Sequence, residues 1–580
     1  HSALMPAPRL PRNAGNYALL ALLLAGLGFA LIYPIALTLR GAFARDVAAG
    51  TGWTLDNLRL VFEDPTLVAG LVNSLKVAAA TTTGAILLAL PLAVLSARFV
   101  YPLKGLFNAL ILVPLILPPF VGAIGFKLMW GREGAIAALT GLEFDLMGSA
   151  RFWGVVAVQA LNLYPIIYLN ATAALANLDP ALDEAAENLG ASWWRRFFTI
   201  TLPLIRPGLF AGGTIVFIWS FTELGTPMIF DYTRVTPVQI FNGLKDVESS
   251  AQPYALTLLM LVVAGITYTL GRAVLGGRAY AMYAKASRAS SESALRGPAA
   301  WAATGLFTLV CGLALLPHIG VTLTAFAAPG SWYQSILPRE FTLSHFGQAL
   351  GSDLASTSIT NSLVLASMAV ALDLLIGIAV GYLIVRTNIR GRGLLDTLCM
   401  MPLAVPGLVM AFGYVAMSLN WPFGPDGPLG GIASVVASQP NPVLFLVMAY
   451  GIRRLPYIVR ATVAGLEQTS GQLEEAALNL GASRLTAIRR IVLPLIAANL
   501  IAGALLAFSF SMLEVSDSLI LAQQERQYPI TKAIFTFANR LADGPYIAAA
   551  MGVWGMALLT VTLVGASVLL GKRLGAIFRV

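Results

Sequence analysis

Residues 183–190 read Asp-Glu-Ala-Ala-Glu-Asn-Leu-Gly, and residues 474–481 read Glu-Glu-Ala-Ala-Leu-Asn-Leu-Gly. In both places nine residues follow the glycine before a second pattern begins, Ile-Thr-Leu-Pro at 200–203 and Ile-Val-Leu-Pro at 491–494. Two matches of this length indicate that the chain contains one structural unit twice. An internal repeat decides the architecture, so the rest of the sequence is best compared half against half.

Other landmarks recur in the same order along the two halves. Asn73-Ser74-Leu75 returns as Asn361-Ser362-Leu363. Single residues recur as well: Pro114 with Pro402, Pro118 with Pro406, Pro165 with Pro456, and Glu223 with Glu514. The pattern predicts two repeats, at about 1–290 and 291–580, joined by a polar, serine-containing linker at 285–296.

Composition indicates a membrane protein. Of the 580 residues, 57% are hydrophobic and only 11% are charged, whereas a soluble domain has about 25% charged residues. Apolar runs of about 20 residues, the length that crosses ~30 Å of hydrocarbon, occur throughout the chain. The runs are continuous and do not alternate with polar residues, which favours helices over a β-barrel. We therefore expect an all-α integral membrane protein.

Hydropathy predicts six spans in each half, or about 12 transmembrane helices as two parallel six-helix repeats. The predicted spans are 16–39, 70–97, 106–130, 152–177, 206–230 and 254–276, then 300–327, 358–385, 394–419, 441–466, 496–522 and 545–572. The apolar run at 17–39 is interpreted as a retained first span. Basic residues cluster beside alternate span ends, which predicts that both termini and both 179–203 and 470–494 are cytoplasmic.

The segments 179–203 and 470–494 resemble the EAA loop of type I ABC import permeases, whose pattern is Glu-Ala-Ala, a glycine, nine residues and Ile-x-Leu-Pro. The resemblance implies that each loop presents a coupling helix to one ATPase protomer. The implied docking residues are Glu184, Ala185, Ala186 and Gly190, and Glu475, Ala476, Ala477 and Gly481. The fused layout looks most like ferric-iron importer permeases and their thiamine and 2-aminoethylphosphonate relatives.

The residue types suit such a role. The alanines give a short helix a small face that a partner can approach closely. A glycine then ends that helix and permits a sharp turn. The alternative is that both segments are ordinary amphipathic connectors between spans.

The resemblance also implies partners and a location. The chain has no Gly-x-x-x-x-Gly-Lys-Ser/Thr loop, so ATP and Mg²⁺ are expected on a separate ABC ATPase, present in two copies. A periplasmic substrate-binding protein would deliver the solute to this multi-pass protein of the bacterial inner membrane. We expect no enzymatic activity and no cofactor in the chain itself, and no nucleic-acid partner despite the net charge of +9. The alternative from another class is an ion-coupled secondary transporter.

Charges inside the spans bear on the substrate, because each is unfavourable in hydrocarbon. Glu223 and Glu514 occupy matching places and could face each other, with Asp517 one turn further; carboxylates suit a hard cation or an amine. The opposing set, Lys127 with Arg453, Arg454 and Arg460, suits phosphonate or carboxylate oxygens. A third interpretation is a structural bridge between the acids and the arginines. Ferric iron is favoured by resemblance alone, with 2-aminoethylphosphonate, thiamine or a polyamine as alternatives, and no metal ligands are assigned.

Glycine and proline mark two further places in the predicted pathway. Pro114, Pro118, Pro402 and Pro406 interrupt the third span of each half, as a gate or as a plain packing kink. Gly225 and Pro227 follow Glu223, and unwinding there would free carbonyl groups to line a cavity.

Overall fold

The computed structural model describes residues 14–176, 178–275 and 293–570, and the chain there is helical almost throughout. Two small sheets accompany the helices. Strand β1 (Ala44–Asp46) pairs antiparallel with β2 (Thr51–Trp53), and β3 (Phe99–Val100) pairs parallel with β4 (Ser293–Ala294). Most of the predicted linker and the basic residues near both chain ends lie outside the described residues.

The first half contains fourteen helices in the described ranges. They are α1 (Ala14–Leu27), α2 (Tyr33–Phe43), α3 (Asp56–Glu63), α4 (Pro65–Arg98), α5 (Lys104–Leu110), α6 (Pro119–Trp130), α7 (Ala135–Thr140), α8 (Arg151–Ala176), α9 (Pro180–Asn188), α10 (Trp193–Arg196), α11 (Leu202–Thr222), α12 (Gly225–Ile229), α13 (Thr236–Gly243) and α14 (Gln252–Leu275). Turns of π-helix join α1 to α2 and α10 to α11, so each of these pairs forms one continuous rod.

The second half follows the same order with twelve helices in the described ranges, because its first span is a single helix and α7 has no counterpart. Its helices are α15 (Pro298–Phe326), α16 (Ser344–Gly351), α17 (Asp353–Arg386), α18 (Arg392–Met400), α19 (Gly407–Leu419), α20 (Val443–Gln468), α21 (Gln472–Asn479), α22 (Arg484–Ala487), α23 (Leu493–Met512), α24 (Ser516–Leu521), α25 (Ile530–Ala538) and α26 (Gly544–Leu570). A π-helical turn joins α22 to α23, as its counterpart joins α10 to α11.

The all-α membrane architecture predicted from composition is confirmed. Within the described ranges nine helices are long and apolar enough to cross a bilayer, and eleven if two sharply bent pairs each count as one span. Helix α20, the predicted tenth span, is not among them, and it carries Arg453, Arg454 and Arg460. The number twelve therefore stays a prediction.

The third span of each half is broken rather than continuous. The segments Lys104–Ile116 and Pro119–Trp130 meet at 102°, and Arg392–Leu403 and Gly407–Leu419 meet at 103°. Pro118 and Pro406 stand at the two breaks in extended backbone conformation. Proline cannot donate a helical hydrogen bond, and its ring clashes with the preceding turn. The first helix of each pair therefore ends before the proline, and the second begins in a nearly perpendicular direction.

The fifth spans differ from the hydropathy prediction at both ends. The continuous helices run over Trp193–Thr222 and Arg484–Met512, not over 206–230 and 496–522. They begin earlier because the basic, amphipathic turns at 193–201 and 484–492, within the predicted docking loops 179–203 and 470–494, are helical too. They end earlier because the chain is extended at Glu223 and leaves helical hydrogen bonding at 513–515.

The first helix of each half packs on the other half. Helix α2 lies against α19, and α15 lies against α6. Glycines allow the approach: a side chain at Gly413 would meet Pro34 Cβ at 2.8 Å, and one at Gly125 would meet the Pro317 carbonyl oxygen at 2.5 Å. The two halves are thus reciprocally crossed, with a matching glycine–proline contact at each crossing.

Candidate functional site

Each predicted docking loop begins with a short helix that ends at a glycine in left-handed conformation. The φ angle is +80° at Gly190 and +89° at Gly481. The backbone closes each helix in the same way: Ala191 N–H donates to Ala186 at 3.0 Å, and Ala482 N–H donates to Ala477 at 3.0 Å. Only glycine adopts this conformation without steric penalty, so the predicted turn at both glycines is confirmed.

The motif residues of both loops face outward. Glu184 and Ala185 are exposed on α9, and Glu475 and Ala476 are exposed on α21, while Ala186 and Ala477 are half-buried. The leucine before each glycine is almost fully exposed, at 88% for Leu189 and 89% for Leu480. Apolar side chains grouped at the same place in two repeats mark a contact surface more than a solvated one.

After the glycine each loop enters its long helix through a serine cap. Ser192 Oγ accepts from the Arg195 N–H at 3.4 Å, and Ser483 Oγ accepts from the Thr486 N–H at 3.2 Å. Each cap satisfies a free donor at a helix start. The two loops therefore have one backbone design from helix to turn to span.

The acid just before each motif glutamate holds its docking helix to the second span, a role the sequence analysis missed. Arg98, at the end of α4, pairs with Asp183 at 3.3 Å. Arg386, at the end of α17, pairs with Glu474 at 3.6 Å, and Tyr382 donates a hydrogen bond to the same carboxylate at 2.6 Å. The sequence contains a signal for this contact, because an arginine recurs at positions 98 and 386 and an acid recurs at positions 183 and 474.

The predicted pathway residues of the second half form a buried ion cluster. Arg453 donates to Glu514 at 2.5 Å and to Asp517 at 3.2 Å, and Arg454 pairs with the other oxygen of Glu514. Asp517 is fully buried and Glu514 nearly so. These four residues therefore match the interpretation as a structural bridge. They do not match the interpretation in which unpaired carboxylates face each other.

Glu223 differs from its counterpart Glu514. Its carboxylate accepts from the N–H and the hydroxyl of Thr226, at 3.2 and 3.3 Å, and no cation lies within ion-pair distance among the described residues. It lies within electrostatic range of Glu514.

The matching position of Arg453 in the first half is Asn162, which donates to the carbonyl groups of Pro114 and Leu117 at the broken third span.

The segments that follow the two fifth spans contact each other. A side chain at Gly225 would meet Val515 Cγ1 at 3.3 Å and Phe120 Cβ at 2.7 Å. The unwinding predicted after Glu223 is present, since the chain is extended at that residue. In the second half the matching carbonyl, that of Glu514, has hydrogen-bond partners. It accepts hydrogen bonds from Ser518 and Thr531, both at 2.6 Å.

Two predicted members of the cationic set lie apart from this cluster. Lys127 has Asp231 as its charged neighbour, and Arg460 pairs with Asp396 at 3.6 Å on a half-exposed surface. An acid that the sequence analysis did not single out, Asp373 on α17, is instead buried within electrostatic range of Arg454. It was missed because its matching residue in the first half is Ala85, so no repeat draws attention to it.

Comparison with known proteins places two regions of the chain in one family. The family model described as "Binding-protein-dependent transport system inner membrane component" matches residues 89–279 and 373–569. These ranges contain the docking loops, the fifth spans and the breaks that follow them.

Two relatives named as transport-system permeases and one solved structure are similar to this chain. The ferric transport system permease protein FbpB of Actinobacillus pleuropneumoniae is 28% identical over 446 residues, 75% of this chain and 61% of that protein. The chain thus matches about three fifths of that relative's length. The molybdenum transport system permease protein ModB of Haemophilus influenzae is 33% identical over 210 residues, 34% of this chain and 91% of that protein. A solved bacterial ABC transporter involved in alginate import matches with 16% identity and a TM-score of 0.37, over 45% of this chain and 95% of that one.

Proposed function

Because the chain belongs to the family of binding-protein-dependent transport system inner membrane components, we propose that it is the permease subunit of an ABC importer in the bacterial inner membrane. Two copies of a separate ATPase dock on its loops, and a periplasmic binding protein delivers the solute to the opposite face. Both termini lie on the ATPase side. The chain forms the path and the ATPase performs the hydrolysis.

The pair of docking loops carries this proposal. Both loops present an exposed alanine-containing helix face, an exposed leucine and a left-handed glycine in the same order. A secondary transporter needs no such repeated surface. Two equal docking sites fit two equal ATPase protomers, whose closure on ATP would move both loops together.

Ferric iron is the solute we propose. The support is the ferric transport relative and one carboxylate, Glu223, that has no cationic partner among the described residues. Iron(III) is a hard cation that prefers oxygen ligands. The arginines of the cluster favour an oxyanion less, since Glu514 and Asp517 already neutralise them.

Co-purification with the ATPase tests the importer assignment. The full chain, expressed with its cognate ABC ATPase, should purify with two ATPase copies, and loaded binding protein should stimulate ATP hydrolysis in the reconstituted complex. Transport driven by an ion gradient with no ATPase present would contradict the proposal and favour the secondary transporter.

Ligand binding to the cognate binding protein tests the solute. A ligand that binds only the native state raises the melting temperature by mass action. Ferric citrate should raise it, whereas 2-aminoethylphosphonate, thiamine, spermidine and molybdate should not. A rise in melting temperature with one of these ligands and none with ferric citrate would contradict iron as the solute. The importer assignment would be unaffected.

A further inference from the structure

The second span of each half is attached by side chains at both of its ends. Helices α4 and α17 are 34 residues long, and each packs along the fourth and fifth spans of its own half. One end meets the docking loop through the arginine–acid pair described above. The other end meets a short helix beyond the fifth span, through the repeated Asn-Ser-Leu motif.

The Asn-Ser motif binds the same element in both halves. Asn73 Nδ2 donates to the Arg234 carbonyl at 2.9 Å, and Ser74 Oγ accepts from the first N–H of α13 at 2.9 Å. We call these contacts the first clamp.

The second clamp repeats them. Asn361 Nδ2 donates to the carbonyl groups of Arg526 and Tyr528 at 3.0 and 3.1 Å, and Ser362 Oγ accepts from the first N–H of α25 at 2.8 Å. Both serines are buried, so each hydroxyl satisfies an N–H that water does not reach.

The spacing places the clamp and the docking contact on opposite sides of the bilayer. Ser74 and Arg98 are as far apart in sequence as Ser362 and Arg386, twenty-four positions in each case. At 1.5 Å per residue this separation is about 36 Å, slightly more than the ~30 Å hydrocarbon thickness. Each helix thus reaches from the docking surface to the far surface, with a specific attachment at either end.

The clamped helix in the second half is bonded directly to the central cluster. Thr531 on α25 donates to the Glu514 carbonyl at 2.6 Å, and Lys532 donates to the Leu519 carbonyl on α24 at 2.9 Å. A displacement of α17 along its axis therefore reaches the residues between the two fifth spans through hydrogen bonds alone.

We propose that α4 and α17 act as rigid helices, called rods below. They transmit movement of the docking loops to the non-helical segments that follow the two fifth spans. Asp183 and Glu474 act as positioning residues at one end, and Ser74 and Ser362 do so at the other. The inference rests on the proposed docking of an ATPase. It adds the route by which docking reaches the pathway.

The two rods are not equivalent. Glu474 is 7% exposed and contacts Arg386 and Tyr382, whereas Asp183 is partly exposed and contacts Arg98 and Arg196 at 3.3 and 3.9 Å. The position that matches Tyr382 in the first half is Val94. Breaking the contacts of a buried acid costs more free energy than breaking those of a partly exposed one, so we expect the second rod to carry more of the coupling.

The test compares both ends of the second rod in the reconstituted complex of full chain and ATPase. Glu474→Gln and Ser362→Ala should each lower stimulation of ATP hydrolysis by loaded binding protein about tenfold, with assembly and basal hydrolysis unchanged. The double variant should be no worse than either single one, because either change disconnects the same rod. Asp183→Asn should have a smaller effect, about threefold.

Matched controls lie close by. Glu467→Gln removes an exposed acid seven positions before Glu474, and Ser367→Ala removes an exposed hydroxyl from the same helix as Ser362. Both should keep wild-type stimulation. Should Glu474→Gln fail to assemble, Tyr382→Phe removes one hydrogen bond and serves in its place.

The outcomes separate the two proposals. Wild-type stimulation in both single variants, or independent losses that multiply to about a hundredfold in the double variant, would overturn the rods and leave the importer intact. Absence of any stimulation in the unaltered complex would instead overturn the importer assignment, and the rods with it.

Discussion

The glycine that ends each docking helix is the residue at which one substitution changes the loop most. Gly190 and Gly481 have open space around their Cα atoms, so added volume alone is tolerated. The restriction is conformational, since the left-handed region disfavours side chains by roughly 1–2 kcal/mol per residue. The direction of the chain into the span depends on that one angle.

Gly190→Asp and Gly481→Asp should therefore abolish ATPase docking or coupling while the protein still inserts in the membrane. Each variant adds backbone strain and puts a negative charge at a helix C-terminus, where the helix dipole is unfavourable to it. The measurement is co-purification with the ATPase. Gly141→Asp is the matched control, with φ at +71° and open surroundings, and it should dock normally. Normal docking in all three variants would show that neither Gly190 nor Gly481 is needed for ATPase docking.

Glu223 and Glu514 should respond differently to the same substitution. Glu514→Gln leaves Arg454 without its closest anion, and Asp373 and Asp517 remain only within longer electrostatic range. We expect a loss of about 3 kcal/mol in the free energy of unfolding, the low end for a broken buried ion pair. Glu223→Gln should keep stability and lower solute uptake.

Thermal unfolding of the purified variants measures the first effect, and uptake into proteoliposomes measures the second. Glu63→Gln breaks an exposed pair with Arg59 and should change stability by less than about 1 kcal/mol. Equal stability of Glu514→Gln and Glu63→Gln would show that the cluster is not a structural bridge.

At the scale of helices, the break in the third span of the first half depends on the fourth span beside it. Asn162 on α8 donates to the Pro114 and Leu117 carbonyl groups at 2.6 and 2.9 Å. These are the acceptors that Pro118 and the change of direction leave without helical donors. A break in hydrocarbon persists only when such groups find partners in the protein.

Asn162→Leu should loosen the first break, because two carbonyl groups lose their donor at about 1–3 kcal/mol each. Faster amide exchange confined to 111–124 is the expected result in hydrogen-exchange mass spectrometry. Asn539→Leu is the control, since Asn539 bonds only the Phe535 carbonyl within its own helix. Equal exchange in both variants would mean that the break is maintained by packing alone.

The sequence predicts helices well and their ends less well. Apolar runs located the spans, and prolines marked the breaks at Pro118 and Pro406, because both signals are local. The extension of the fifth spans back to Trp193 and Arg484 was missed, since those turns are amphipathic and hydropathy does not register them. The pairing of Arg453 with Glu514 depends on two helices meeting, which no single stretch of sequence specifies.

At the scale of the whole molecule, the crossed first helices join the two halves. Helix α2 packs on α19 and α15 on α6 through the contacts of Gly413 with Pro34 and of Gly125 with Pro317. Close backbone approach at small residues is a main source of helix association in membranes. The sequence repeat predicted two units but contained no sign that they exchange helices.

Gly413→Leu and Gly125→Leu should each lower the melting temperature of the purified protein by several degrees, because a large side chain in a tight contact destabilises by about 1–3 kcal/mol. Gly312→Leu, on α15 with nothing near it, should leave the melting temperature unchanged. A similar loss in all three would attribute the effect to leucine itself and not to the crossing.

The crossing also orders events during translation. Helix α2 ends at Phe43 and its partner α19 starts at Gly407. At about 5–20 residues per second the ribosome needs roughly 20–75 s to make the intervening chain. Until α19 has been made, Pro34 on α2 lacks its contact with Gly413. Complete assembly of the first half is thus a late event in biogenesis, and it depends on synthesis of the second.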